Sequence, residues 1–190
     1  LSGRDLDAGH DDDIGATFNS AIGTTCAFPR VWYYGLDGNP PASQIDFVSV
    51  VVHELGHGLG FLTFIDVSSG AKFFGFNDTF MLNLEGHGAS PSDFPSMTDA
   101  QRVAASTDTG NLHWVGTNVE AASGALTAGK VGNHVQMFAP NPEQEGSSVS
   151  HWDTALTPNQ VMEPSYTGPH HDPVLELPLF GPCAVGVRQV

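Results

Sequence analysis

Ser43-Gln44-Ile45-Asp46-Phe47-Val48-Ser49-Val50-Val51-Val52-His53-Glu54-Leu55-Gly56-His57-Gly58-Leu59-Gly60 is the stretch on which the reading of this chain turns. Ile45, Val48, Val51, Val52, Leu55 and Leu59 recur at helical spacing and make one apolar stripe. Val50 to Val52 alone would suit a strand, but the length of the stripe and its start favour a helix. Ser43 follows Pro40 and Pro41 and precedes Asp46 by three residues, an arrangement resembling a capping box, so Ser43 is the expected N-cap. At the far end Gly56, Gly58 and Gly60 accumulate, and glycine after a helix permits the left-handed residue that turns the chain sharply.

Within this helix His53 and His57 are four residues apart, so they project from one face and two imidazole nitrogens can reach one ion. Glu54 sits beside these ligands without replacing them, placed to take a proton from a water that the ion acidifies. This is the division of labour of a zinc hydrolase. Catalytic zinc commonly takes three protein ligands, which leaves one to be found. The extended pattern H-E-x-x-H-x-x-G-x-x-H would place it at position 63, but Thr63 stands there, although Gly60 supplies the glycine. Asp66 lies three residues too late for an aspartate variant, and Glu85 is only a faint match to a downstream glutamate ligand. His151, in Ser150-His151-Trp152-Asp153, is the better candidate, with His87, His113, His134, His170 and His171 as rivals.

Three blocks stand in order along the chain: residues 53–60, residues 150–153, and Val161-Met162-Glu163-Pro164. In these the sequence resembles leishmanolysin and its bacterial relatives, metzincins that keep H-E-x-x-H-x-x-G and bring the third His from a distant Ser-His-Trp-like segment followed by a Met-turn. The resemblance implies an α+β, metzincin-like two-lobed catalytic domain over residues 1–190. Its upper lobe, 1–60, would carry a sheet and the active-site helix, and its lower lobe, 61–190, the third ligand and the Met-turn. It implies one catalytic zinc on His53, His57 and His151, Glu54 as general base, and Met162 as an apolar floor that does not touch the ion. Tyr166 follows Met162 by four residues where some metzincins have a tyrosine two residues on, which makes it a candidate for oxyanion or substrate contact. The implied substrate is protein or peptide, bound in extended form beside an edge strand.

The rest of the chain bounds this reading. Gly15 to Phe18 and Val31 to Leu36 read as short strands of a sheet preceding the helix, and His134 to Phe138 as another strand. Thr98 with Gln101 predicts a short capped helix, Thr157-Pro158-Asn159-Gln160 a capped helical turn, and Asn141 to Ser150 an exposed connection. The 6 Lys and Arg against 21 Asp and Glu give a formal charge of −15, which repels phosphate backbones and anionic lipid and disfavours nucleic-acid or membrane-surface roles. No apolar run approaches the roughly 20 residues needed to span a bilayer. The first residues carry no signal peptide and no initiator Met, so the chain reads as a processed, secreted product whose export signal is already gone. In that setting Cys26 and Cys183 could close one disulfide, with two free buried thiols as the other reading. Asp5, Asp7 and Asp11-Asp12-Asp13 are acidic enough to recruit calcium but lack the glycine and closing glutamate of a calcium loop, and His170-His171-Asp172 reads as exposed. Two other functions share the same ligands: a non-enzymatic, zinc-braced adhesin or surface-binding domain, and a zinc amidase acting on non-protein substrates. A G-x-S-x-G elbow is missing, which argues against serine chemistry.

Overall fold

In the computed structural model, which describes residues 14–26, 30–171 and 175, the helix begins three residues later than Ser43. Gln44–Asp46 is a strand (β2) that pairs in parallel with Val31–Tyr33 (β1), Trp32 opposite Ile45. The helix α1 then spans Phe47–Gly58 with Asp46 as its N-cap. Asp46 is fully buried, and its Oδ2 accepts from the Ser49 backbone N–H at 2.8 Å and from the Ser49 hydroxyl at 2.7 Å. Its carboxylate thus caps its own helix instead of reaching back to Ser43. The β-branched Ile45 is left to the strand, where its side chain is buried.

Val31 to Leu36 shortens to β1, and Gly15 to Phe18 forms no strand; the Phe18 ring packs edge-on against Phe47 at 5.1 Å, beside Trp32 at 5.2 Å from the same ring. Aromatic packing on the first turn of α1 takes the place of the wider sheet expected there. Residues 1–13 and Cys183 lie outside the described residues, and with them the acidic runs and the partner of the expected disulfide.

The end of α1 follows the glycine reading closely. Gly60 donates to the His57 carbonyl and Phe61 to the Gly56 carbonyl, at 2.9 and 3.0 Å, the paired bonds of a Schellman motif with Gly60 at the left-handed position, φ +104°. A Cβ on Gly60 would meet no heavy atom within 4 Å, so only the backbone conformation demands glycine there. Gly60→Ala is expected to cost roughly 1–2 kcal/mol, read as a lower denaturant midpoint with an unchanged slope. An unshifted midpoint would mean that the turn relaxes.

Beyond Phe61 the chain builds a four-stranded antiparallel sheet in the order β3-β4-β6-β5, from Leu84–Gly86 (β3), Leu112–Trp114 (β4), Lys130–Val131 (β5) and His134–Gln136 (β6). The expected strand at His134 to Phe138 is therefore present but ends at Gln136, with Met137 bridging to Trp152. Two short helices accompany the sheet. Asp99–Ala105 (α2) starts from Thr98 with both bonds of a capping box to Gln101, as expected, and Thr117–Ala122 (α3) has no side-chain cap to announce it. Thr157 to Gln160 forms no helical turn; the Thr157 carbonyl accepts from the Thr127 N–H at 2.7 Å, and Thr157 forms an isolated bridge with Ala128. The connection Asn141 to Ser150 is exposed only in its first part, since Ser148, Val149 and Ser150 are buried.

The architecture is thus mixed α/β, with three α-helices and two small sheets among the described residues. The core lies between the four-stranded sheet and the segments that flank it. Phe61, delivered by the Schellman turn, packs on Phe80, Trp152 and Trp114 at 5.0, 4.8 and 5.9 Å. The end of α1 is thereby pinned to the body that carries residue 151. Among the described residues no helix is long and apolar enough to cross a membrane.

Candidate metal centre

His53 and His57, one turn apart on α1, meet His151 from a loop 94 residues further on. The three Nε2 atoms lie 3.1 Å (His53–His57), 3.2 Å (His57–His151) and 3.3 Å (His53–His151) from one another. The loop is held from several sides. Its Ser150 hydroxyl accepts from the Thr63 N–H at 3.2 Å, the His151 carbonyl accepts from the Phe138 N–H at 2.9 Å, and Trp152 donates to the Met162 carbonyl at 2.9 Å. Thr63, which stands where the extended motif would have its last histidine, is buried and anchors the segment that carries His151. Its own hydroxyl donates to Asp78 Oδ2 at 2.8 Å.

Each ring is oriented through its other nitrogen. Nδ1 of His53 faces the Val161 carbonyl, Nδ1 of His57 the Phe61 carbonyl, and Nδ1 of His151 the Ser147 carbonyl, all at 2.8 Å. A carbonyl oxygen can only accept, so each Nδ1 carries a proton, and in its neutral form each ring presents a bare lone pair at Nε2. Three such lone pairs converging at this range are not hydrogen-bonded to one another; they repel unless a cation lies among them. Imidazoles about 2.0–2.1 Å from a tetrahedral zinc hold their nitrogens roughly 3.3 Å apart, so the observed triangle fits. The backbone carbonyls are the outer-shell partners that fix tautomer and ring direction.

Burial favours the same protonation state. Desolvation lowers the pKa of His53, opposed by its bond to Val161 and assisted by the neighbouring His57. Desolvation likewise takes His151 down to about 4, against the opposing bond to Ser147. Neutral imidazole is the form that binds metal.

Glu54 is exposed beside this triangle and lines, with His53, Val161, Glu163, Tyr166 and His170, a cavity of about 190 Å³. A larger hollow of about 270 Å³ beyond Gly60, walled by Phe80 and Trp114, includes neither Glu54 nor the three histidines. The Tyr166 hydroxyl accepts from the Asp46 N–H at 3.1 Å, which keeps its phenolic proton available to another partner. Met162 is fully buried, and a Cβ on Gly56 would lie 2.5 Å from its Sδ. Gly56 is therefore the residue that lets the methionine close up under α1 between the two helix histidines.

The rival histidines go elsewhere. His113 is buried in β4 with Nδ1 3.1 Å from the Asn111 carbonyl. His170 meets the Thr167 hydroxyl and His171 meets Asp46 Oδ2, at 3.0 and 2.9 Å. Asp66 caps its own turn at Ser68 and Ser69. His87 and His134 gather with Glu85 in a second cluster on the sheet. The three orienting carbonyls could not be read from the sequence, because any residue type offers one. Comparison with known proteins yields no match: no family model, no curated protein and no solved structure is similar to the chain.

Proposed function

We propose that this chain is a zinc-dependent endopeptidase, built as the two-lobed, metzincin-like domain that its leishmanolysin-like segments imply and acting on protein or peptide outside the cell. The observation that carries the reading is the convergence of three Nε2 lone pairs, each held by an Nδ1–H bond to a backbone carbonyl, beside an exposed glutamate. His53, His57 and His151 would hold the ion. When bound, zinc supplies Lewis acidity toward a carbonyl oxygen and acidifies water at neutral pH. Glu54, at the open side, takes the proton of the attacking water and passes it to the departing amine, so no covalent intermediate with the chain is needed. Met162 packs beneath the helix histidines, and the cavity shared by Glu54 and Tyr166 accepts part of the substrate, with the Tyr166 hydroxyl as a donor toward it.

The test is hydrolysis of an unstructured protein such as reduced casein by the full chain. Cleavage should stop with a chelator and return on adding zinc. Turnover that persists unchanged in metal-free buffer would remove the proposal. Binding of zinc without cleavage of any protein would favour the adhesin-like or amidase alternative over it.

A further inference from the structure

A second convergence of ligand atoms lies on the four-stranded sheet. Glu85 sits on β3 and His134 on β6, the two strands that flank β4, and His87 follows β3 by one residue. Glu85 Oε1 is 2.6 Å from His87 Nε2 and 2.8 Å from His134 Nδ1, and the two ring nitrogens are 3.0 Å apart. Both rings are braced from behind. His87 stacks on the fully buried His113 with centroids 3.7 Å apart and planes at 15°. His134 turns its Nε2 to Glu120 Oε1 on α3, at 3.1 Å.

Beside an ionised Glu85, no placement of protons on the two rings satisfies this triangle. With a proton on each of the two facing nitrogens, both point at Glu85 and the 3.0 Å nitrogen pair becomes donor against donor. With either nitrogen bare, its lone pair faces the Glu85 carboxylate at 2.8 Å or less. A single cation bound by all three atoms satisfies every edge at once. Glu120 then has a defined part: it accepts the Nε2 proton of His134, which leaves Nδ1 free to bind, the arrangement of a carboxylate–histidine–metal triad. Two imidazoles and one carboxylate suit first-row transition ions of zinc's kind, not calcium or magnesium, which prefer oxygen alone.

We infer that Glu85, His87 and His134 form a second metal site, for a divalent transition-metal ion such as zinc, which ties β3 to β6 across β4 and couples both to α3. The site shares no residue with the His53, His57 and His151 centre and does not depend on the chain being a peptidase. It braces the sheet on which the core aromatics pack.

Zinc titration of the full chain, with bound metal counted after gel filtration, tests this. The unaltered protein should retain two zinc ions per chain; His53→Ala/His57→Ala should retain one, as should His87→Ala/His134→Ala. Zinc should also raise the melting temperature of His53→Ala/His57→Ala but not of a chain carrying all four substitutions. Glu120→Gln, which leaves every ligand in place, should weaken the sheet site by about 10-fold. These metal counts need no casein cleavage, so failure of the peptidase reading and failure of the second site are told apart. A count that His87→Ala/His134→Ala leaves undiminished in the folded chain, or no zinc retained by folded His53→Ala/His57→Ala, would overturn the site.

Discussion

Glu54→Gln is expected to lower the rate of protein hydrolysis by about 10²–10⁴-fold, the usual worth of a positioned general base, while zinc binding stays as tight as before. The separation follows from position. Glu54 is adjacent to His53 in sequence yet exposed to the cavity, whereas the three ligand nitrogens are fixed through Val161, Phe61 and Ser147. The amide of Gln keeps the size and polarity of the side chain but has no basicity to take a proton. Turnover measured under saturating substrate, alongside zinc content, distinguishes a lost proton acceptor from a lost metal. A Gln variant that hydrolyses casein at the unaltered rate would remove Glu54 from the chemistry. One that loses zinc and activity together would make it a ligand or a support for one.

The parts of this site that could be read in the sequence are those carried by side chains at short, fixed spacing. His53, Glu54 and His57 need only the geometry of one helical turn, and the glycines after them announced a turn that the structure forms at Gly60. His151 is out of reach of spacing, because a loop closed 94 residues away leaves no periodic trace; only the order of three motif blocks points to it. Ser43 misled because a serine followed by an acid three residues on describes two different caps, and Asp46, buried and bonded twice to Ser49, serves the later one. The four-stranded sheet was mostly invisible for a plainer reason. Its strands are two or three residues long, too short for an alternating pattern to show. The cluster at Glu85, His87 and His134 was hidden with it, since only the pairing of β3 and β6 around β4 brings those residues together.

His151→Ala is expected to abolish hydrolysis and to weaken zinc at the helix centre by more than the roughly 10–100-fold that loss of an outer-shell partner costs, because a ligand itself is removed. The measurement is cleanest in the His87→Ala/His134→Ala background, where the sheet cluster holds no metal and any zinc counted belongs to the helix centre. Two imidazoles remain in His151→Ala, 3.1 Å apart on α1, and a catalytic zinc with only these has lost the third protein ligand that fixes it relative to the cavity. Folding is followed separately through Trp152, which is buried against Phe61 and sits next to the substitution. Its near-ultraviolet signal should persist if the loop keeps its bonds from Thr63 and Phe138 and to the Met162 carbonyl. The matching change at a rival, His170→Ala, should leave zinc in place, because that ring meets Thr167 and not the triangle. Zinc held as tightly in folded His151→Ala as before would mean that the third ligand lies elsewhere. The tie between the Thr63 segment and the His151 loop would then be an element of packing alone.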